Sequence, residues 1–212
     1  MKLIWALHHL DQKVTLALNS FGGGALGDAF WPLFSHKEIW FFLYLALAVM
    51  LFVRLGWKKA LVVLVGVVLT IVACDQFANL VKAGVARLRP CYDTYMLEHG
   101  VRVLEWKGNH FGFFSAHAAN SVGLAVAVTM GFRNDGRLRY RGLAVLMSLW
   151  ALLVSLSRIF VGKHFFGDVL VGIAVGYLFG RLLGLLARKV IRWLEPEDLT
   201  LKQQFKPIHY DS

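Results

Sequence analysis

Seven polar side chains stand at the ends of apolar segments, where ionisable groups are costly and therefore usually functional. They are Lys82, Arg89, Ser115, His117, Arg158, His164 and Asp168. Cations and the start of a helix suit a phosphate group, and a histidine can attack its phosphorus. These residue types therefore indicate a phosphate pocket that contains a nucleophilic histidine.

Lys82 and Arg89 close the second apolar segment and are seven residues apart. If the helix persists, two turns separate them and they share one face. Pro90 disfavours helical geometry at Arg89 and is expected to mark the helix end. Two cations suit a dianionic phosphate, and the alternative is a pair of basic residues that reach for the membrane surface.

Ser115 and His117 open the third apolar segment, where the free N–H groups of a helix start can bind an anion. Ser115 can cap the helix and contact a phosphate oxygen. His117 can act as an acid or a base near neutral pH. The alternative is an ordinary serine cap beside a surface histidine.

His164 and Asp168 are four residues apart at the start of the last apolar segment, so their side chains can meet. Asp168 can accept a hydrogen bond from one ring nitrogen of His164, which leaves the other nitrogen free as a nucleophile. Arg158, just before this pair, can bind the transferred phosphoryl group. A purely structural His–Asp contact is the alternative.

Asp75, Asn79 and Lys82 follow one another at helical spacing on the second apolar segment. We hypothesise that Asp75 and Asn79 support the site by orienting Lys82. The alternative is that Asp75 pairs elsewhere in the bundle.

The elements that must position these residues are apolar helices. Hydrophobic residues make up 58% of the 212-residue chain, above the roughly 45–50% of ordinary globular proteins. The apolar runs approach or reach the length of a membrane span and cover residues 39–53, 60–81, about 111–132, 142–157 and 165–187. We therefore predict an all-α, polytopic membrane bundle of about five spans.

A single membrane domain is expected over residues 1–212, with three parts. Residues 1–37 form an interfacial region that begins with an amphipathic helix over residues 1–20. Residues 38–187 form the transmembrane core, and residues 188–212 form a cytoplasmic tail.

Basic clusters in the 54–59 turn, the 133–141 turn and the tail lie on one side of the predicted bundle and indicate the cytoplasm. The phosphate pocket then faces away from the cytoplasm. The net charge is +10, but the basic residues flank the spans instead of forming one continuous stripe. We therefore expect no nucleic-acid partner. Cys74 and Cys91 give neither a disulfide framework nor a metal-ligand spacing, and no metal is expected.

Three motifs resemble those of a known superfamily in order and spacing. Residues 82–90 read K-x6-R-P, residues 157–168 read S-R-x5-H-x3-D, and residues 114–117 are a variant of P-S-G-H. The chain thus resembles the type 2 phosphatidic acid phosphatase superfamily, which contains integral-membrane lipid phosphatases and soluble haloperoxidases. The motifs cover residues 82–168, and the span pattern extends the similarity over most of the chain.

The resemblance implies a phosphatase that works through a phosphohistidine and needs neither a metal nor a cofactor. His164 would be the nucleophile, Asp168 its orienting partner, and His117 the acid and then the base. Phosphate oxygens would be held by Lys82, Arg89, Ser115 and Arg158, with N–H groups near Ala116 assisting. The chain departs from the pattern at Phe114 and Ala116, which replace Pro and Gly. Ala116 is tolerated only if the backbone there is helical or extended.

The expected substrate is a phospholipid or isoprenoid-lipid phosphate in a bacterial inner membrane, with the pocket on the periplasmic or extracellular face. A polyprenyl diphosphate such as undecaprenyl diphosphate is the first choice, and lipid A or phosphatidylglycerol phosphate is the alternative. A lipid or phosphate transporter would bind without hydrolysis, although anion binding alone needs no oriented imidazole. A vanadate haloperoxidase is the remaining rival, and the five spans disfavour it. The sequence leaves the oligomeric state open.

Overall fold

The computed structural model of the chain describes residues 2–194 except Lys107, and the side chain of Lys37 is also left out. Within these residues the protein is a bundle of helices without strands. The helices are α1 (Lys2–Phe21), α2 (Ala25–Ser35), α3 (Phe41–Leu55), α4 (Trp57–Val85), α5 (Thr94–Glu98), α6 (Ala116–Phe132), α7 (Arg141–Phe160) and α8 (Phe166–Leu194). Short 3-10 turns cover Lys37–Trp40 and Pro90–Tyr92.

The predicted polytopic membrane bundle is confirmed. Among the described residues, four segments are long and apolar enough to cross a membrane, namely Glu38–Leu55, Trp57–Val85, Arg141–Phe160 and Phe166–Leu194. The fifth predicted span is the shorter apolar helix α6, and it begins at Ala116 instead of residue 111. The reason is that Ser115 caps α6, while Phe111 pairs with Leu88 in an isolated antiparallel bridge. Helix α8 continues past residue 187 to Leu194, and the rest of the predicted tail, 195–212, lies outside the described residues.

Helix α6 lies at the centre of the bundle and packs most closely against α8. Glycines recur every four residues along α8, at 172, 176, 180 and 184. A Cβ at Gly172 would lie 2.5 Å from the carbonyl oxygen of Ser115, and one at Gly176 would overlap the carbonyl of Ala119. Small residues allow such close backbone approach between membrane helices. This packing brings the start of α6 against the start of α8, where the predicted site residues lie.

Helix α1 docks on the bundle through its polar face. Gln12, Thr15 and Asn19 are buried, whereas Leu3 and Leu7 are 72% and 57% exposed. The Asn19 amide donates to the carbonyls of the last α7 residues, and the Thr15 hydroxyl accepts from the N–H of Phe166 at 2.9 Å. Helix α1 thus stabilises the turn between α7 and α8 and leaves its apolar face outward.

A partly buried ion pair connects two elements at the opposite end of the bundle. The Arg54 guanidinium at the end of α3 donates to Asp135 at 2.9 Å, and the Tyr140 hydroxyl donates to the same carboxylate. Hydrogen bonds from Tyr140 and from the N–H of Arg137 lower the pKa of Asp135 to about 2. This pair fixes α3 to the loop between α6 and α7, far from the predicted phosphate pocket.

Candidate active site

A cavity of about 620 Å³ opens where the ends of α4 and α7 meet the starts of α6 and α8. Its polar end is lined by Lys82, Arg89, Ala116, His117 and His164. It continues between α3, α4, α6 and α7 along apolar side chains such as Leu47, Ile71 and Leu124. The structure therefore joins a cationic pocket to an apolar space inside the membrane.

Lys82 and Arg89 meet in this cavity, although not on one helix face. Helix α4 ends at Val85, and Ala86 adopts the left-handed conformation with φ 50°. Arg89 is extended, as expected for a residue before proline, and its N–H and Nε–H donate to the carbonyls of His110 and Phe111. Arg89 therefore reaches the cavity from the loop after α4, not from a continuation of the helix.

The start of α6 is built as the sequence predicts. Ser115 is the N-cap with φ −75°, is fully buried, and accepts from the N–H of Ala118 at 3.4 Å. Its own N–H donates to the carbonyl of Asp168 at 3.0 Å. Ala116 is the first helical residue, so alanine in place of glycine causes no backbone strain there. His117, one residue further, lines the cavity.

His164 and Asp168 are both buried and face each other. His164 Nδ1 lies 3.4 Å from Asp168 Oδ2, and the same oxygen accepts from the N–H of Phe165. Burial and the nearby cations Arg89 and Arg158 lower the pKa of His164 well below its usual value. The imidazole is therefore neutral at neutral pH, as a nucleophile must be. His164 Nδ1 makes no hydrogen bond within the described residues, and contacts of this kind in active sites often shorten only when substrate binds.

Arg87 is a partner of this pair that the sequence interpretation missed. Its guanidinium donates to Asp168 Oδ1 at 2.7 Å and to Asp11 Oδ2 at 2.7 Å, and it lies 3.9 Å over the Phe165 ring. Asp11 also accepts from the N–H of Gly167 at 2.8 Å. In the sequence, the polar stripe of α1 that contains Asp11 was the signal that this helix packs against the rest of the bundle.

Arg158 lies in the last turn of α7 and is 4% exposed. Its guanidinium is 3.5 Å from the carboxylate of Glu105 in the loop before α6. The backbone N–H groups of Lys163 and His164 both donate to the backbone carbonyl of Arg158. Glu105 was not among the predicted site residues.

Asp75 and Asn79, the two residues of α4 predicted to support the site, lie in different surroundings. Asp75 accepts a 2.8 Å hydrogen bond from the Asn120 amide and lines the cavity. Asn79 is exposed and is not among the cavity-lining residues. The hypothesis that Asp75 and Asn79 orient Lys82 stays a prediction, and Asp75 pairs with Asn120 of α6.

Comparison with known proteins decides the family. The PAP2 (type 2 phosphatidic acid phosphatase) superfamily profile matches residues 57–192. The chain belongs to the PAP2 superfamily. It is 32% identical over 197 residues to a lipid A 4'-phosphatase of Bacteroides thetaiotaomicron, covering 92% of this chain and 84% of that protein. It is 31% identical over 191 residues to a lipid A 4'-phosphatase of Porphyromonas gingivalis, covering 87% of this chain and 76% of that protein.

Solved PAP2 structures share the fold. A transmembrane PAP2-type phosphatidylglycerolphosphate phosphatase of Bacillus subtilis superimposes with a TM-score of 0.69 at 18% identity, covering 87% of this chain and 88% of that one. LpxE of Aquifex aeolicus gives a TM-score of 0.58 at 19% identity, covering 84% of this chain and 93% of that one. The chain is thus an integral-membrane PAP2 phosphatase. Among the residues that the structure describes, no group of three or more His, Cys, Asp or Glu side chains could hold a metal ion.

Proposed function

We propose that this protein removes a phosphate from lipid A at the non-cytoplasmic face of a bacterial inner membrane. The observation that carries the proposal is the cavity, which joins the cations Lys82 and Arg89 and both histidines to an apolar space between the helices. A phosphate at its polar end leaves the acyl chains of the same lipid in the membrane part. The two relatives named lipid A 4'-phosphatase support this substrate over the polyprenyl diphosphate favoured by the sequence interpretation.

The apolar part of the cavity also favours an acylated lipid. The indole N–H groups of Trp40 and Trp150 and the Ser35 hydroxyl line it and have no hydrogen-bond partner among the described residues. Buried polar groups need partners, and acyl carbonyls accept such bonds. A polyprenyl chain is hydrocarbon and offers no acceptor there.

A two-step reaction is supported by the presence of both histidines in one cavity. The free nitrogen of His164 attacks phosphorus, a nitrogen–phosphorus bond forms, and the bond to the lipid oxygen breaks. His117 gives that oxygen a proton, then takes one from the water that attacks the phosphohistidine, which releases phosphate and restores His164. Lys82, Arg89, Arg158 and the start of α6 stabilise the charge on the phosphoryl oxygens throughout.

Asp168 and Arg87 position the nucleophile, His164. The carboxylate lies 3.4 Å from His164 Nδ1, close enough to orient the ring, and the guanidinium of Arg87 donates to the other carboxylate oxygen. Neither contact requires substrate. Asp168 and Arg87 therefore stand in place beside the ring before substrate binds, which lowers the entropic cost of reaching the attack geometry.

The test is phosphate release from a lipid panel by the purified protein in detergent with a chelator present. The panel contains lipid A, phosphatidylglycerol phosphate and undecaprenyl diphosphate, and mass spectrometry locates the phosphate that is lost. We expect the highest kcat/KM with lipid A, loss of the 4'-phosphate, and no release by His164→Ala. A higher kcat/KM with another lipid would contradict the substrate, and a strict metal requirement would contradict the phosphohistidine.

A further inference from the structure

Asp75 and Asn120 form a polar pair inside the membrane part of the cavity. Asp75 lies ten residues before the end of α4, about 15 Å along the helix, and roughly 10 Å below Lys82. Both residues line the cavity, and the wall beyond them is apolar, with Ile71, Leu124 and Val128. Ionisable groups at this depth are expensive, so they are usually functional.

The pair has more acceptors than donors. Asn120 Nδ2 donates to Asp75 Oδ1 at 2.8 Å, and this is the one hydrogen bond that the described residues give to Asp75. Asn120 Oδ1 is buried without a partner in the same part of the chain. The opposite amide orientation would place two acceptors together, so the observed orientation follows from the carboxylate. The cavity wall therefore presents unused carboxylate and amide oxygens, and a ligand that fits them must bring an N–H or O–H donor.

The phosphate does not fill this need, because its oxygens are acceptors and belong with the cations at the polar end. The polar pair lies where the part of a lipid next to its headgroup would lie. Phosphatidic acid and polyprenyl phosphates have only ester oxygens or hydrocarbon in this part. An acylated amino sugar has amide N–H groups and, with hydroxyacyl chains, hydroxyl groups.

We propose that Asp75 and Asn120 form a specificity site that accepts a hydrogen bond from an amide N–H or hydroxyl group in the acylated sugar part of the substrate. This inference rests on the proposed function, since lipid A is a lipid of that class. A lipid without such a donor leaves the buried acceptors unpaired, which costs binding energy in the transition state. The site therefore selects amino-sugar lipids over diacylglycerol phosphates.

The test compares one variant on two lipids. Asp75→Leu is assayed with an acylated glucosamine 4-phosphate that carries 3-hydroxyacyl chains and with phosphatidic acid. The kcat/KM for the amino-sugar lipid should fall about 10- to 150-fold more than that for phosphatidic acid, the loss expected for one hydrogen bond to a charged group. Gln76→Leu is the matched control, because Gln76 is exposed on the same helix and its loss should leave the ratio unchanged.

Two further variants guard against misfolding. Asp75→Asn keeps one acceptor oxygen and should lose less of the ratio than Asp75→Leu, and Asn120→Leu should lower the ratio by itself. Equal losses on both lipids would overturn the inference, because a residue that only orients Lys82 affects every phosphate alike. If the unmodified enzyme hydrolyses phosphatidic acid but not the amino-sugar lipid, the proposed function fails and the inference fails with it.

Discussion

Replacement of Arg87 by methionine tests whether the residue behind the nucleophile contributes to catalysis. Arg87 lies outside the cavity lining and donates to Asp168 and Asp11 at 2.7 Å each. Methionine has similar length and no charge, so Arg87→Met removes both hydrogen bonds and keeps much of the packing on Phe165. The carboxylate of Asp168, which has no exposed surface, then keeps only the N–H of Phe165 and the contact to His164.

The expected magnitude follows from these contacts. A hydrogen bond to a charged group contributes about 1.5–3 kcal/mol, which corresponds to roughly 10- to 150-fold in rate if the orientation of His164 depends on it. Because Arg87 does not touch the phosphate, the loss should appear in kcat with little change in KM. Removal of one partner of a buried ion pair should also cost about 3–5 kcal/mol of stability.

Arg54→Met is the matched control, because Arg54 makes a comparable ion pair with Asp135 at the other end of the bundle. It should lower the thermal midpoint in detergent without changing kcat at temperatures where the protein is folded. Both variants are assayed for lipid phosphate release well below their midpoints. A normal kcat for folded Arg87→Met would refute the claim that Arg87 orients the catalytic pair through Asp168.

Three other outcomes can be measured. Gly176→Val should lower the thermal midpoint and the activity together, since its side chain would overlap the Ala119 carbonyl and separate α6 from α8 at a cost of about 1–3 kcal/mol or more; an unchanged midpoint would contradict the close packing. His164 should still be neutral at pH 6.5 in NMR spectra of histidine-labelled protein, because burial and Arg89 lower its pKa; half-protonation at that pH would be contrary to this. With a folded pKa below the unfolded value, His164 favours the folded state above about pH 6.5, and this contribution should decline as the pH falls. Glu105→Gln should strengthen inhibition by inorganic phosphate severalfold, since the carboxylate 3.5 Å from Arg158 competes with an anion; weaker or equal inhibition would argue against that competition.

Hydropathy and motif spacing were enough to predict the bundle and the family. Length and apolarity are sums over neighbouring residues, so the spans could be read without knowing how they pack. The spacing of His164 and Asp168 is likewise local to one helix start, and the structure places them face to face. The preference for a polyprenyl substrate could not be settled in this way, because substrate choice depends on the cavity between helices.

Local pattern failed where the backbone changes direction. The two cations of the first motif were expected on one helix face, yet α4 ends at Val85 and the loop supplies Arg89. The hypothesis that Asp75 and Asn79 orient Lys82 rested on helical spacing alone. Packing turns the Asp75 side of α4 to the cavity and leaves Asn79 exposed.

The sequence by itself determined which residues can do chemistry and that they lie at membrane-span ends. Tertiary structure alone decided their partners: Asp11 with Arg87, 76 residues apart, Arg87 with Asp168, 81 residues apart, and Asn120 with Asp75, 45 residues apart. The physical reason is that helix formation and hydropathy depend on near neighbours, whereas hydrogen bonds depend on distances of about 3 Å between segments that only packing brings together.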